Sequence, residues 1–369
     1  MWYWGFKNLL SQPLALLASV LAAAAAFLLV LLFEAVYAGE SRQIVAYVEN
    51  SPADVWVMQR GVSNMHMATS YVSDWKATEV ARVEGVARVD GILYLNTVVA
   101  AGTARWFAYV VGLDPGATRA GPWAMATGRA LPRAGEAVVP EAFAAMSGLR
   151  LGDTLRIADA KFTVVGFSEG TFSMANSVIF VARVDLEDLM SSLDILSFLL
   201  VAAESGVDAA ALAARIERQV DKVTAVAARQ FVSNDRRMAM QMGVETIAQM
   251  TVIGGALATL LVAFTCYSLV ARQRRELAVA KALGVRSGAL YAAVMAQAGA
   301  VTVASLALAT LLAAAVIPVV ASLVPQVSLA LTGQSVARLA AAGVVVAVLA
   351  GLWPARQVAR VDPASVFQS

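Results

Sequence analysis

The sequence predicts an α-helical membrane protein with four transmembrane helices and a large α/β domain outside the membrane. Of its 369 residues, 59% are hydrophobic and 15% are charged, which is more apolar and less charged than an ordinary soluble domain. Several charge-free stretches are also long enough for a helix to cross a bilayer core of about 30 Å. Between the first two of these stretches, residues 35–246 carry charges of both signs, so this segment is predicted to fold in water.

The N-terminus places aromatic residues beside Lys7 in "MWYWGFKNLL", which predicts an interfacial helix over 1–13 or an aromatic belt at the end of the first span. Residues 14–34 are the first predicted span. A cleaved signal peptide is the alternative, because 36–38 resemble a cleavage site. We favour an uncleaved span, since the apolar stretch exceeds the about 7 to 15 residues of a signal core and Lys7 is the only basic residue before it.

The remaining predicted spans are 247–271, 289–317 and 336–353. No charged residue occurs between Ala289 and Ala337, but Pro318, Pro325 and Gly333 predict a break in this stretch. The break leaves an outer loop at 318–335. Arg338 lies near enough to the end of the last span to extend its guanidinium into the headgroups.

Basic residues predict the orientation. The loop at 272–288 holds Arg272, Arg274, Arg275, Lys281 and Arg286 against one acid, Glu276. With an even number of spans, this loop, the segment 1–13 and the tail 354–369 lie on one side of the membrane. Because short basic segments stay in the cytoplasm, that side is predicted to be cytoplasmic.

The exported segment 35–230 alternates short apolar runs with amphipathic stretches, which predicts a folded α/β domain. The predicted strands are 44–49, 54–59, 91–99, 106–112, 137–139, 154–157, 162–167, 177–181 and 198–203. The predicted helices are 73–83, 140–147, 185–192 and 208–220, the last two with Asp185 and Asp208 as N-cap residues. The turn-rich stretch 113–135 predicts a subdomain boundary.

Residues 231–246 continue a helical pattern into the second span without a proline. They predict a stalk helix that protrudes from the membrane, with Met238, Met242 and Glu245 on it; an ordinary juxtamembrane helix is the alternative. Methionines on such a helix suit adaptable packing against a second copy of the chain.

The basic loop has a pattern beyond its charge. In "ELAVAKALGV", Leu277, Ala280, Leu283 and Gly284 fall on one helical face, while Glu276 and Lys281 lie nearer the opposite side. The glycine suits a helix end. The pattern predicts a short cytosolic helix that inserts into a groove on a partner protein.

These residues also carry a resemblance to a known family. "RQRRELAVAKALGV" resembles the cytoplasmic loop of the FtsX/MacB-type ABC transporter permeases, in the family pattern R-E-(I/L)-x-(V/L)-x-K-A-(L/I)-G. The tail "PARQVARVDPASVFQ" resembles the closing motif of the family, and "GLRLGDTLRIADAKFTVVG" is similar to its extracytoplasmic segment. The resemblance covers nearly the whole chain, including one span, a large outer domain and then three spans.

The resemblance implies a MacB periplasmic-core-like outer domain and a mechanism called mechanotransmission (type VII). A separate cytosolic ATPase dimer would grip the coupling helix, and its ATP cycle would move the stalks and outer domains without passing substrate through the spans. The coupling residues are then Arg275, Glu276, Leu277, Ala280, Lys281, Leu283 and Gly284. The implied location is the bacterial inner membrane, with the large domain in the periplasm or extracytoplasmic space.

The implied partners are the ATPase dimer, a second copy of this chain and the surrounding membrane lipids. An ATPase dimer has two grooves and this chain offers one coupling helix, so we expect a homodimer; a pair of non-identical permeases is the competitor. A periplasmic membrane-fusion adaptor is a further candidate partner, and no nucleic-acid partner is expected.

The expected substrate is amphiphilic: a drug, peptide, haem, lipid or lipoprotein. The alternative function is an FtsX-like regulator of a cell-wall hydrolase that transports nothing; the large outer domain favours transport.

The sequence has few motifs or residues that indicate catalysis or metal binding. The phosphate-binding pattern Gly-x-x-x-x-Gly-Lys-[Ser/Thr] does not occur, so we expect no enzymatic activity in this chain. ATP and Mg²⁺ are expected in an ATPase on another polypeptide, because only 13 residues precede the first span. Cys266 is the only cysteine. Met58, Met65, His66 and Met67 are residue types that soft metals or haem iron use, although such side chains more often pack in a core.

Overall fold

The computed structural model describes residues 13–66, 68–116, 119–172, 177–239, 245–272, 279–324 and 327–359. The chain forms two compact units. The membrane unit comprises Met1–Ala38, Glu245–Leu323 and Leu329–Ser369, and the outer unit comprises Gly39–Val244 and Val324–Ser328.

The described helices are α1 (Pro13–Gln43), α2 (Ala46–Asn50), α3 (Trp75–Ala81), α4 (Glu141–Ser147), α5 (Arg183–Met190), α6 (Ala209–Gln219), α7 (Ala228–Ala239), α8 (Glu245–Arg272), α9 (Ser287–Leu323) and α10 (Gly333–Ala359). The described strands are β1 (Val55–Gln59), β2 (Val72–Ser73), β3 (Val86–Ala101), β4 (Ala104–Leu113), β5 (Met125–Gly128), β6 (Glu136–Pro140), β7 (Thr154–Ile157), β8 (Ala160–Ser168), β9 (Val178–Ala182), β10 (Ile195–Leu196), β11 (Phe198–Ala203) and β12 (Val223–Ala227).

The membrane unit contains long apolar helices. Within the described residues, three are long and apolar enough to cross a membrane: α1, residues Thr246–Thr265 of α8, and α9. In α10, Gly333–Leu349 forms a shorter apolar stretch. Three candidate spans are therefore found, and the fourth stays a prediction. Small and apolar side chains fill the core of the unit, among them Phe27, Leu31, Ala258, Ala298 and Leu339.

The structure corrects the predicted ends of two segments. Helix α1 continues beyond residue 34 to Gln43, and the strand predicted at 44–49 is wrong because Ala46–Asn50 is helical. Tyr47 and Val48 are both buried in the core of the outer unit, and a short apolar run does not by itself distinguish a strand from a buried helical turn. The helix break predicted at Pro318 is also wrong, because α9 continues to Leu323. Proline removes one backbone hydrogen bond, and helices of membrane proteins tolerate that loss where neighbouring groups satisfy the freed carbonyl.

The outer unit is built on one mixed sheet. Its described strands follow the order β12-β1-β11-β3-β4-β9-β6-β8-β5, and β7 pairs with β3 and β8. The pairs β4–β9 and β6–β8 are parallel, and the other pairs of this sheet are antiparallel. Strands β4 and β9 lie on opposite sides of the stretch 113–135 in the sequence. The predicted subdomain boundary therefore falls inside a single sheet.

Most predicted strands of the outer unit are present, and both Thr154–Ile157 and Phe198–Ala203 have the predicted bounds. Asp208 is the N-cap of α6, since its carboxylate accepts the Ala211 N–H at 2.8 Å. Asp185 is not an N-cap, because α5 begins at Arg183. The Asp185 carboxylate instead accepts the Gly135 N–H at 3.0 Å. The short strands β2, β5, β10 and β12 were not predicted.

Candidate coupling site

The predicted coupling loop, 272–288, joins α8 to α9. Arg275, Glu276 and Leu277 lie outside the described residues, so the structure describes only the second half of this loop. Residues 279–282 are helical, and α9 begins at Ser287. We call residues 279–286 the coupling segment.

The coupling segment ends in a Schellman motif. Gly284 has a φ of +90°, in the left-handed region that favours glycine. Its N–H donates to the Lys281 carbonyl at 3.0 Å, and the Val285 N–H donates to the Ala280 carbonyl at 3.2 Å. These two bonds satisfy carbonyls that a helix end leaves unpaired. The predicted helix end at Gly284 is therefore confirmed.

Two residues of the predicted apolar face of the coupling helix, Ala280 and Leu283, differ in their exposure to solvent. Ala280 and Val285 pack against a small core formed by Leu290 and Val294 of α9. Leu283, in contrast, is 81% exposed. Ala280 thus anchors the segment to its own chain, and Leu283 projects away from it. The difference arises because α9 covers Ala280 and leaves Leu283 uncovered.

The described part of the loop is positively charged. Arg272, Lys281 and Arg286 occur in it, and residues 279–288 include no acidic side chain. An exposed leucine among cations suits a partner surface that combines an apolar groove with acidic residues at its rim.

The predicted stalk is described only in part. Met238 is half-buried on α7, while Met242 and the side chain of Glu245 lie outside the described residues. The predicted junction of α7 with α8 also lies outside them. Helix α7 packs on the outer unit, because Phe231 is fully buried and stacks on Trp56 with ring centroids 5.0 Å apart. The first part of the predicted stalk therefore belongs to the outer-unit core.

The methionine and histidine group is buried. Met58, Met65 and His66 lie in the core of the outer unit, and Met67 lies outside the described residues. The His66 Nδ1 atom is 3.1 Å from the Asp235 carboxylate. Within the described part of the chain, no group of three or more His, Cys, Asp or Glu side chains is placed to hold a metal ion. The contacts of His66 are those of a core residue.

Three polar residues of this core were not singled out from the sequence: Asp235, Tyr94 and Tyr109. The position of Asp235 four residues after Phe231, on the same face of α7, was the available signal. Burial raises the pKa of Tyr109 to about 12, and the negative charge of Asp235 acts in the same direction. Burial, Tyr109 and Asp235 also hold the pKa of Tyr94 well above its ordinary value.

A hydrolase-like motif also passed unnoticed in the sequence. Residues 166–170 read G-F-S-E-G, which matches the pattern Gly-x-Ser-x-Gly. The nucleophile elbow requires a strand, a sharp turn and a helix, with an exposed serine at the turn. Ser168 instead ends β8 without a following helix and is buried, with its Oγ 2.6 Å from the Thr171 Oγ1. The geometry therefore does not support a nucleophile.

The outer unit has a cavity of about 560 Å³ at the carboxyl ends of β4 and β9. Arg129, Arg133 and Arg183 line it. Acids hold two of these arginines: the Arg183 Nε is 2.8 Å from Asp114, and Arg129 donates to both carboxylate oxygens of Glu136 at 2.8 and 2.7 Å. Most of the positive charge that lines this cavity is therefore already paired with acidic side chains.

Two known protein families match this chain, one in its N-terminal part and one in its C-terminal part. The MacB-like periplasmic core domain family matches residues 14–219, and the FtsX-like permease C-terminal family matches residues 250–363. The chain belongs to the MacB/FtsX-like family of ABC transporter permeases. Permeases of this family work with ABC ATPase partners. The resemblance seen in the loop sequence is confirmed, and the protein is a membrane protein with an extracytoplasmic domain.

Solved structures with similarity to part of the chain include two transporter domains. The periplasmic region of MacB from Actinobacillus actinomycetemcomitans is 10% identical, with 52% of this chain and 96% of that chain covered and a TM-score of 0.39. The extracellular domain of the noncanonic ABC-type transporter YknZ from Gram-positive bacteria is 14% identical, with 42% and 89% covered and a TM-score of 0.33. No curated protein sequence matches the chain. The family assignment rests on the two family matches.

Proposed function

We propose that this chain is the permease subunit of an ABC transporter in the bacterial inner membrane, and that it couples ATP hydrolysis in the cytosol to movement of its outer unit. The movement serves export or extraction of an amphiphilic substrate, which does not pass between the spans. The proposed ATPase is a partner subunit, because permeases of this family work with ABC ATPase partners. The match of residues 14–219 to the MacB-like periplasmic core favours transport over regulation of a hydrolase.

One observation carries the proposal: Leu283 is exposed on a segment that is itself held in place. The Schellman bonds and the packing of Ala280 on Leu290 and Val294 fix the backbone, so Leu283 loses little freedom when a partner covers it. Pre-organisation of a binding segment lowers the entropic cost of association. The position of Leu283 within the FtsX-like match indicates the ABC ATPase as the partner.

The length of α1 supports coupling between the units. This helix has 31 residues, or about 46 Å at 1.5 Å per residue, and it ends inside the outer unit. There, Glu40 accepts the Ser328 N–H at 2.8 Å and the Gln43 side chain donates to the Gly170 carbonyl. A continuous helix bonded at its end can transmit a rigid-body displacement.

The experiment compares Leu283→Asp with Ser287→Asp in the full chain, co-expressed with the ATPase. Leu283→Asp would bury an unpaired carboxylate in the interface and should weaken ATPase binding by about 100-fold or more. Ser287 is exposed in the first turn of α9, where aspartate favours the helix dipole, so Ser287→Asp should bind like the wild type. Co-purification of the ATPase with the permease measures the effect.

Full ATPase retention by Leu283→Asp would refute the coupling role of this segment. The mass of the wild-type complex tests the homodimer in the same preparation. We expect equal numbers of permease and ATPase chains, and one permease per two ATPases would contradict the homodimer.

A further inference from the structure

The membrane unit encloses a cavity of about 310 Å³ between α1, α8 and α10. Its walls are mainly apolar, with Phe27, Val30 and Leu31 on α1 and Leu339 and Val346 on α10. Every lining residue belongs to the membrane unit. The cavity is open on one side, so in a bilayer it adjoins the lipid acyl chains.

One end of the cavity is charged. Glu34 and Arg338 line it and form an ion pair in which the Arg338 Nη1 is 3.0 Å from the Glu34 Oε1. The Glu34 side chain is 14% exposed and the Arg338 side chain is 57% exposed. A guanidinium has five N–H donors, so Arg338 can bind a second anion while it holds Glu34.

The apolar part extends from this ion pair in one direction along two helices. Phe27 precedes Glu34 by about 10 Å along α1, and Val346 follows Arg338 by about 12 Å along α10, at 1.5 Å per residue. Glu34 is the first charged residue of α1, and Arg338 is the first of α10. The cavity therefore has an apolar tract with a charged group at one end only, which is the arrangement of an amphiphile.

We propose that this cavity holds one acyl chain of a membrane phospholipid whose phosphate is bound by Arg338. Arginine binds phosphate through paired N–H donors, and a lipid supplies both the phosphate and the apolar chain. Val252, the exposed α8 residue that lines the cavity, is apolar and offers no counter-charge to Arg338.

A glycine keeps the cavity open. Gly255 lines it, and a Cβ at this position would meet no atom within 4 Å. At the neighbouring Gly254, a Cβ would already lie 3.2 Å from Val30. Gly255→Leu therefore places a side chain in the cavity with room for its Cβ, and it raises helix propensity. Gly299→Leu is the matched control, because Gly299 is a helical glycine of α9 with nothing within 4 Å of its Cβ and does not line the cavity.

The experiment is native mass spectrometry of the purified full chain in detergent, stripped of lipid and then titrated with phosphatidylglycerol. We expect the wild type and Gly299→Leu to bind one lipid tightly per chain, and Gly255→Leu to bind at least about tenfold more weakly. Wild-type binding by Gly255→Leu would overturn the proposal. A changed dimer fraction in Gly255→Leu with lipid binding unaltered would also overturn it, because a second copy would then cover the cavity.

A second experiment tests the proposed contact between Arg338 and the lipid phosphate. The double variant Glu34→Gln/Arg338→Gln removes both charges, so neither is left unpaired. We expect it to bind phosphatidylglycerol about 10- to 100-fold more weakly, the loss expected for a hydrogen bond to a charged group. Its binding of an uncharged glycolipid with the same acyl chains should equal that of the wild type. Equal phosphatidylglycerol binding by the double variant and the wild type would refute the role of Arg338.

Discussion

At the scale of single residues, Asp235 is the least expected feature of the outer unit. Its side chain is fully buried, accepts the Met65 N–H at 2.7 Å and lies 3.1 Å from His66. Its second oxygen, together with the Trp56 Nε1 and the Tyr94 hydroxyl, is buried without a hydrogen-bond partner among the described residues. Buried polar atoms of this kind are commonly satisfied by ordered water. Asp235 thus ties α7 to the loop that contains Met65 and His66.

Replacing Asp235 tests this link. Asp235→Ala leaves the buried Met65 N–H without its acceptor and removes the carboxylate beside His66, so we expect the free energy of unfolding to fall by about 1 to 3 kcal/mol. Asp235→Asn retains an acceptor for the Met65 N–H and should cost less. Denaturant unfolding of the full chain in detergent, followed by tryptophan fluorescence, gives both values. Wild-type stability of Asp235→Ala would show that the carboxylate does not hold α7.

Because Tyr94 and Tyr109 are buried, we expect the free energy of unfolding to fall at alkaline pH. Burial raises the pKa of Tyr109 to about 12 in the folded protein, above the ordinary value of 10.0. The neutral phenol therefore favours the folded state, and its contribution is complete below pH 10 and is lost as the pH rises through about 12. Tyr109→Phe removes the ionisable group, so its stability should decline less between pH 10 and 12. Circular dichroism across that range checks this, and parallel declines of the two proteins would contradict it.

At the scale of elements, close helix packing depends on one small residue. A Cβ at Gly343 of α10 would lie 2.4 Å from the Leu306 Cδ1 of α9. Small residues let membrane helices approach closely, and a larger side chain here must displace Leu306. The exposed neighbour Val344 meets no such restriction, since 66% of it is accessible.

The matched substitutions Gly343→Leu and Val344→Leu test this packing. Overpacking should cost Gly343→Leu about 1 to 3 kcal/mol or more of stability, whereas Val344→Leu should stay within about 0.5 kcal/mol of the wild type. Thermal unfolding in detergent measures both. Equal midpoints for the two variants would show that Leu306 adjusts without cost.

At the scale of the whole molecule, the proposed four-span topology places the outer unit and the coupling segment on opposite sides of the membrane. Asp159, at the turn between β7 and β8, and Ser287, at the start of α9, are both exposed. After Cys266→Ser, we expect Asp159→Cys to react with a membrane-impermeant maleimide in intact spheroplasts. Ser287→Cys should react only after permeabilisation. The reverse pattern of labelling would overturn the orientation derived from the positive charges.

The sequence by itself determined the membrane class, the family and most strands of the outer unit. These features depend on local composition and on patterns of two or three to four residues, which are visible without neighbours. Thr154–Ile157 and Phe198–Ala203 were predicted to the residue. The end of the coupling helix at Gly284 was predictable for the same reason, because a left-handed turn favours glycine whatever surrounds it.

Only the tertiary structure decided which of those residues meet. The helix at Ala46–Asn50 forms where a short apolar run suggested a strand, and its Tyr47 and Val48 both enter the core. Ala280 and Leu283 share a predicted face, yet packing of Ala280 on α9 leaves Leu283 alone exposed within that pair. The contacts of Asp235 with His66 and of Glu34 with Arg338 join residues far apart in the chain. Such pairs depend on long-range packing, which has no local signature in the sequence.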